Sequence, residues 1–288
     1  MNTISFSVPS DFTLAASLAF LEGFTPQRAA SDADGASVLR FATPLTPGWI
    51  PTEVTVTQDA EQICVDWDSD IEAQSVQQNV ERILSLDVDA SGFADVINAD
   101  PVLGEVIDPH RGIRPPLFWS PYEAAMWAVL SQRIRMTQAS NLKQRLAAEL
   151  GTKSVSGHTV ATPAPDVLAD LERFDGINDT KTERLRAVAR AAVDGTLDPQ
   201  RLRTVTASDA LDQLRNIDGI GPFSAELILV RGAGAPDVFP TNEERLHHIM
   251  HNLYDTTTTT ADLAEIAGRW SPYRSWIAFH LRSQSTAR

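Results

Sequence analysis

The stretch "NIDGIGPFSAELILVRGAGAPDVFPTNEERL", residues 216–246, joins three helical patterns through two loops. The first pattern stops at Ile217, Gly219 and Gly221 then form a tight corner, and the second pattern begins at Pro222. Glycine adopts left-handed backbone conformations at low cost and lets a ligand approach the main chain. A helix N-terminus also presents free amides, so the corner predicts a phosphate site that needs no Lys or Arg. Taken alone, the corner is equally compatible with a helical hairpin that binds no ligand.

Length and composition predict an ordinary folded protein. A chain of 288 residues with 43% hydrophobic content is long enough for two or three domains. There is no run of eighteen apolar residues and no basic segment followed by an apolar one near residue 1, so we expect a cytoplasmic protein without a membrane partner. Cys64 is the only cysteine, which excludes an internal disulfide and a cysteine-based zinc site.

The formal charge of −14 would at first argue against a nucleic-acid partner. The acidity is concentrated in one part of the chain, however. Residues 1–100 contain 16 acidic and 3 basic residues, whereas residues 101–288 contain 22 acidic and 21 basic residues. The second part can therefore carry a local surface that binds phosphate, although long-range attraction of DNA should be weak.

The periodicity divides the chain into two parts, and the first, residues 1–105, reads as an α+β domain. It contains four β-like runs and two helical patterns, near residues 11–22 and 71–86. The β-like runs are "TISFSV" (3–8), "VLRFAT" (38–43), "EVTVTQ" (53–58) and "QICVDW" (62–67). After a Pro- and Gly-containing passage, residues 106–288 show helical periodicity throughout, which predicts an all-α domain.

Three segments carry a resemblance to a known family. Residues 214–246, "LRNIDGIGPFSAELILVRGAGAPDVFPTNEERL", resemble the helix-hairpin-helix and Gly/Pro-rich loop of the DNA glycosylase superfamily, closest to bacterial 3-methyladenine DNA glycosylase II. Residues 112–146 are similar to that family's first long helix and DNA-wedge loop, and residues 270–281 to its C-terminal helix. The resemblance implies two helical lobes with a cleft, and a nucleoid-associated monomer that binds double-stranded DNA containing a damaged base.

The family flips a damaged nucleotide out of the duplex and hydrolyses its N-glycosidic bond. Because positive charge develops on the sugar, a fixed carboxylate is needed close to it. The family's catalytic aspartate lies twenty residues beyond the position of Phe223 and four beyond that of Phe239, and both intervals lead to Glu243. An alternative is structural: Thr241 and Glu244 could form a capping box, with Glu243 as an ordinary acid in the first helical turn.

The resemblance also assigns the base pocket. Phe223 stands where bifunctional relatives have a Schiff-base lysine, which implies a monofunctional hydrolase without lyase activity. Phe223 could stack on the flipped base or simply belong to the core. Leu227 and Arg282 occupy positions where the family has aromatic residues, and Trp127 could add a further aromatic contact, although helical aromatics are more often core.

The remaining implied contacts concern DNA and a cation. Gln132 and Arg133, in "SQRIR" (131–135), occupy the place of the family's wedge side chain, with a solvated helix end as the alternative. The residues expected to contact DNA phosphates at the hairpin are Gly219, Gly221, Ser224 and Ala225. No cofactor is required, but a Na⁺ or K⁺ ion could be held by the backbone carbonyls of Arg215, Ile217 and Gly219.

His247 and His251 share a helix face at a spacing that can hold a metal, but no further ligand pattern supports such a site. The sequence therefore leads to one main hypothesis, a monofunctional DNA glycosylase of base excision repair acting on damaged bases, with alkylated purines as the expected class. The alternative is a glycosylase-like protein that recognises DNA or lesions with weak or no catalysis.

Overall fold

A computed structural model describes residues 1–27, 37–108 and 112–284 of the chain. In the described residues the strands are β1 (Asn2–Ser7), β2 (Val38–Leu45), β3 (Ile50–Asp59), β4 (Gln62–Trp67), β5 (Thr152–Lys153) and β6 (Val160–Ala161). The helices before the hairpin are α1 (Leu14–Gly23), α2 (Ala73–Ile83), α3 (Phe93–Ala99), α4 (Pro101–Val106), α5 (Pro121–Leu130), α6 (Met136–Leu150), α7 (Pro165–Ala169), α8 (Asp179–Val193), α9 (Pro199–Thr204) and α10 (Ala207–Arg215). The later helices are α11 (Pro222–Leu227), α12 (Glu244–Leu253), α13 (Thr260–Gly268) and α14 (Arg274–Gln284), and a π-helical segment (Ile228–Ala233) continues α11.

The amino-terminal part is built on an antiparallel sheet with the strand order β1-β4-β3-β2. All four strands coincide with the predicted β-like runs to within a few residues. Alternate residues such as Val54, Val56, Ile63 and Val65 are buried under α1 and α2, while the intervening side chains face outward. The alternation arises because successive strand residues point to opposite faces of the sheet.

The central helices enclose a second core that includes α5, α8 and the hairpin helix α11 with its π-helical continuation. Every residue of α5 is buried. The approach of α5 to the π-helical segment is close enough that a Cβ on Gly232 would lie 2.9 Å from Pro121 Cα and 3.0 Å from Ala124 Cβ. The absence of a side chain at this glycine therefore permits the contact.

A third core joins α12, α13 and α14 to α3 and α4. Phe93, Ile97 and Leu103 are buried in the same core as Trp270, in the turn after α13, and Trp276 of α14. The two short helices α3 and α4 thus pack with the end of the chain, although they precede the boundary expected at residue 105.

The structure differs from the sequence-based expectation in the carboxyl-terminal part. Residues 106–288 were expected to be all-α, but Thr152–Lys153 and Val160–Ala161 pair as the short antiparallel strands β5 and β6. Residues 131–135, where a wedge loop was expected, separate α5 from α6, and Arg133 adopts a left-handed backbone there with φ of 57°. None of the described helices is both long and apolar enough to cross a membrane.

Two buried charged residues connect the amino-terminal part to the helices. Arg82 of α2 donates hydrogen bonds to the carbonyls of Phe118, Trp119 and Gly232, at 3.1, 2.5 and 2.5 Å. Burial lowers the pKa of Arg82 to about 10, so this residue remains a cation at neutral pH. Glu123 of α5 accepts from Thr43 of β2 and pairs with Lys143 of α6 at 2.8 Å.

Candidate active site

The glycine corner has the predicted backbone conformation. Gly219 has φ of +87°, and a Cβ there would lie 2.4 Å from Arg184 Cδ, so both the conformation and the space require glycine. Gly221 has no neighbouring atom within 4 Å of the position of a Cβ. The open side of Gly221 leaves room for a ligand to approach the main chain, whereas Gly219 serves the packing of the turn.

Gln132 supports the corner from inside the protein. Its Nε2 donates to the Gly219 carbonyl at 2.7 Å, and its Oε1 accepts from Arg184 at 2.6 Å. Because both ends of the amide are engaged, this side chain is not extended from the surface as the wedge hypothesis requires. Arg133, the other wedge candidate, follows it in the left-handed position at the tip of the loop.

The amides at the start of α11 differ in their availability. Ala225 N donates to Gly221 O at 2.9 Å, so this amide is already used inside the helix. Ser224 lies in the first turn, where a backbone amide has no intrahelical acceptor. A phosphate contact is therefore better placed at Ser224 than at Ala225, although both positions were expected to contribute.

Glu226 is 5% exposed and holds the loop that precedes α12, a role that the sequence analysis did not assign. Its carboxylate accepts from Thr241 N at 3.0 Å and from Thr241 Oγ1 at 2.6 Å. It also accepts from Asn242 N at 2.9 Å and from Asn242 Nδ2 at 2.8 Å. Four donors converge on one buried acid, which fixes the two residues immediately before Glu243. In the sequence, the one feature that points to this contact is an acidic residue, Glu226, on the side of the hairpin helix that faces the core.

Glu243 lies at the N-cap of α12, with the helix beginning at Glu244. The expected capping box is absent, because the Thr241 hydroxyl donates to Glu226 and no side chain caps the helix. The Glu243 side chain is 23% exposed, and its Oε1 lies 3.6 Å from Arg282 Nε of α14. The carboxylate is thus partly buried and is positioned by its contact with Arg282.

Glu243 lines a cavity of about 820 Å³. The walls of this cavity come from α1, from α11 with its π-helical continuation, from the start of α12 and from α14. Side chains that line it include Phe20, Phe24, Phe223, Glu226, Leu227, Arg231, Glu243, Phe279, His280 and Arg282. The volume is in the range of sites that enclose a small organic molecule.

Three of the four residues expected in a base pocket line this cavity: Phe223, Leu227 and Arg282. Phe223 is 48% exposed, which is unusual for a phenylalanine. The expectation that Trp127 lines the base pocket is wrong. Trp127 is 3% exposed and belongs to the central core, because every side of α5 is covered by other elements.

A second cation stands on the cavity wall. Arg231 Nη2 donates to Pro116 O at 2.6 Å, and the guanidinium carbon lies within 5.3 Å of the ring centroids of Phe20, Phe24 and Phe279. Burial, and to a smaller extent the positive charge of Arg282, lowers the pKa of Arg231 to about 10. Arg231 is nevertheless a cation at neutral pH. The sequence offered no signal for this arrangement, since α1 and the π-helical segment are about 210 residues apart.

The loop before Glu243 is also held at its beginning, where Asp237 contacts α14 and the turn before it. Asp237 accepts from Arg274 Nε at 2.7 Å, from Arg274 Nη2 at 2.9 Å and from Ser271 Oγ at 2.9 Å. Burial would raise the pKa of Asp237, but these contacts with Arg274 and Ser271 lower it below the ordinary 3.8.

Within the described chain, no group of three or more His, Cys, Asp or Glu residues could hold a metal ion. The described part of the chain therefore contains no metal cluster that includes His247 and His251.

Comparison with known proteins identifies the family of this fold and site. Residues 126–272 match the model of the HhH-GPD superfamily base excision DNA repair protein. The match spans the hairpin, Glu243 and part of the cavity wall, and it covers about half of the chain. The chain belongs to the HhH-GPD superfamily of base excision DNA repair proteins, and the family resemblance seen in the sequence is confirmed.

Individual relatives agree with this assignment. The chain is 24% identical over 286 residues to "DNA-3-methyladenine glycosylase 2" of Escherichia coli, covering 98% of this chain and 96% of that one. It is 30% identical over 210 residues to a Mycobacterium tuberculosis protein named "Probable bifunctional transcriptional activator/DNA repair enzyme AlkA". That match covers 69% of this chain but only 40% of the longer mycobacterial protein. The fold is similar to "3-methyladenine dna-glycosylase from Archaeoglobus fulgidus", with a TM-score of 0.78 at 20% identity over 96% of each chain.

Proposed function

We propose that this protein is a monofunctional DNA glycosylase that hydrolyses the N-glycosidic bond of damaged bases, with alkylated purines as the first class to test. In this proposal the helices on either side of the cavity form two lobes, and the flipped nucleotide enters the cleft between them. The names of the relatives support the class of reaction, and the cavity supports its location.

The position of Glu243 carries the proposal. This carboxylate is at the wall of a cavity large enough for a base, one helix away from a glycine corner suited to backbone phosphates. During hydrolysis, the ionised carboxylate stabilises the positive charge that develops on the sugar and orients the attacking water. The bond from the sugar to the base breaks, water adds to the sugar carbon, and the base leaves with a proton.

The absence of lyase activity is part of the proposal. A lyase of this superfamily needs a lysine amine that attacks the sugar carbon. The chain has three lysines, Lys143, Lys153 and Lys181, and none of them lines the cavity. Lys143 is paired with Glu123, and Lys181 donates to Leu130 O at 2.7 Å. Phe223 occupies the place of a nucleophilic lysine and supplies a ring on which a base can stack.

DNA would be held by backbone groups and one inserted side chain. The amides of Gly221 and Ser224 bind a phosphate, and Arg133 fills the gap left by the flipped nucleotide. The carbonyls of Arg215, Ile217 and Gly219 have the right chemistry for Na⁺ or K⁺. The Ile217 and Gly219 oxygens already accept one hydrogen bond each, from Ile220 N and Gln132 Nε2, which leaves the second lone pair of each free for an ion. Such an ion would stiffen the turn.

The test is release of free base from duplexes that contain 3-methyladenine, 7-methylguanine, hypoxanthine, ethenoadenine or uracil. Glu243→Gln keeps the size of the side chain and removes its charge, so it should lower release by about a hundredfold or more while DNA affinity is retained. Glu243→Asp tests the reach of the carboxylate. Equal release by wild type and Glu243→Gln would contradict the proposal. A protein–DNA adduct formed in the presence of borohydride, which reduces a Schiff base, would contradict the absence of lyase activity.

A second candidate function is lesion recognition with weak catalysis. The contact between Arg282 and Glu243 favours it, because a guanidinium at 3.6 Å offsets part of the negative charge that the reaction needs. A wild-type protein that binds damaged duplex tightly and specifically, but releases base no faster than Glu243→Gln, would support this candidate.

A further inference from the structure

We propose that the cavity accepts neutral damaged bases with exposed carbonyl oxygens and discriminates against bases that carry a positive charge. This inference rests on the proposed glycosylase function and specifies which of its possible substrates the site takes.

The aromatic rings of the cavity provide the first reason. A cationic base is held best over the electron-rich face of an aromatic ring. The guanidinium of Arg231 already lies 5.3 Å from the Phe20 ring centroid, 5.1 Å from that of Phe24 and 5.1 Å from that of Phe279. Three aromatic side chains of the cavity are therefore engaged by an internal cation. The ring of Phe223, at 48% exposure, remains for stacking, and stacking does not require a charged base.

The arrangement of charge provides the second reason. Arg282 and Arg231 both line the cavity and lie close enough for the charge of one to lower the pKa of the other. A positively charged base would add a further cation beside Arg231 and Arg282. Repulsion between like charges is strong where water is excluded. A neutral base avoids that repulsion.

The carboxylates of the cavity do not reverse this preference. Glu226 is turned towards the loop and accepts from Thr241 and Asn242. Glu243 is beside Arg282 and, in the proposed reaction, faces the sugar. Asp108 and Arg245, both exposed, carry opposite charges. The base itself therefore meets guanidinium groups and aromatic rings.

Guanidinium groups are also donors that match carbonyl oxygens. Arg282 lines the cavity and its side chain is 28% exposed, so a carbonyl oxygen of a bound base can accept a hydrogen bond from it. Oxidised and deaminated purines carry such oxygens on the edge that would enter the pocket.

The experiment compares hypoxanthine and 8-oxoguanine, which are neutral, with 7-methylguanine, whose nucleoside is cationic, in the same duplex context. Single-turnover release is measured after subtraction of spontaneous loss. Affinity is measured in parallel on duplexes whose sugar carries a 2′-fluorine that blocks hydrolysis.

The wild type should prefer at least one neutral base over 7-methylguanine. Arg282→Gln should shift the ratio towards 7-methylguanine by about tenfold, because it removes one of the two cations. Arg282→Lys keeps the charge and should leave the ratio near that of wild type.

The readout is the ratio of neutral-base release to 7-methylguanine release. Arg282 also contacts Glu243, and a disturbance of Glu243 would change the release of all bases by a similar factor, which cancels in the ratio. The inference is overturned if wild type prefers 7-methylguanine to both neutral bases, or if Arg282→Gln leaves the ratio unchanged. If no base is released, the proposed function fails, and the affinity ratios on the fluorinated duplexes still decide the inference. Absence of any preference in those ratios would overturn the inference as well.

Discussion

Glu226 accepts two hydrogen bonds from Asn242, one from the backbone amide at 2.9 Å and one from the side-chain amide at 2.8 Å. Asn242 directly precedes Glu243, so a buried acid on the hairpin helix sets the place where the proposed catalytic acid leaves the loop. The side chain of Glu226 thereby links the hairpin helix α11 to the residue proposed for catalysis.

We expect Glu226→Gln to lower the rate of base release by about tenfold or more with DNA affinity nearly unchanged. The Gln amide directs a donor at groups that are themselves donors, which displaces the loop and moves Glu243, and a shift near 1 Å can cost up to a hundredfold. Glu244→Gln is the matched control, because Glu244 is an exposed neighbouring acid. An unchanged rate in Glu226→Gln, or equal losses in both variants, would refute the positioning role.

At the glycine corner, Gly219→Ala should destabilise the protein by about 1 kcal/mol or more and weaken DNA binding. The alanine would require a left-handed backbone and its Cβ would meet Arg184. Gly221→Ala should leave the unfolding free energy within about 0.5 kcal/mol, since its Cβ meets open space, but it should still reduce DNA affinity. Urea unfolding and a DNA titration measure the two effects separately. Equal loss of stability in both variants would contradict this division of roles.

Phe223→Ala should lower affinity for lesion duplex several-fold and leave stability almost unchanged, because nearly half of the side chain is exposed. Phe279→Ala, at 5% exposure, should instead cost about 3 to 5 kcal/mol of stability. Thermal unfolding and binding to the fluorinated duplex distinguish the two. A strong destabilisation by Phe223→Ala would mean that Phe223 is a core residue.

Arg82→Met should lower the free energy of unfolding by about 3 kcal/mol, since removing the guanidinium takes a donor from the carbonyls of Phe118, Trp119 and Gly232. The Trp119 carbonyl still accepts from Asn79 Nδ2 at 3.2 Å. Arg173→Met, at an exposed position, should change it by less than about 0.5 kcal/mol. Chemical unfolding at neutral pH is the measurement. If both variants unfold at the same denaturant concentration, Arg82 does not stabilise the junction of α2 with the helices.

Asp237→Asn should destabilise the protein at pH 7, and the difference from wild type should shrink in acid. Because the folded-state pKa of Asp237 is lowered, its contribution to stability is complete above 3.8 and is lost as pH falls through the folded value. The effect should be about 1 kcal/mol or less, since the pair with Arg274 is about one third exposed. Unfolding by urea at pH 7 and at successive values below 4 tests this. A difference that grows in acid would contradict the assignment.

Much of the local structure was predictable. The four strands of the sheet, the left-handed Gly219 and a helix starting at Pro222 all follow from short-range rules of alternation and glycine geometry. The interval from the corner to Glu243 was likewise visible in the chain. The prediction for Trp127 failed, because this residue belongs to a helix that is buried on every side.

The sequence by itself determined the type of most elements and the hairpin, because backbone sterics and side-chain alternation act over a few residues. The acid proposed for catalysis came from the spacing shared with the resembling family. Tertiary structure decided which side chains surround that acid. Glu226 meets the loop at Asn242, Arg282 approaches Glu243, and Arg231 packs on Phe20 of the amino-terminal part. Such contacts between distant segments depend on how three separate cores pack against one another, and packing has no short-range signature in the chain.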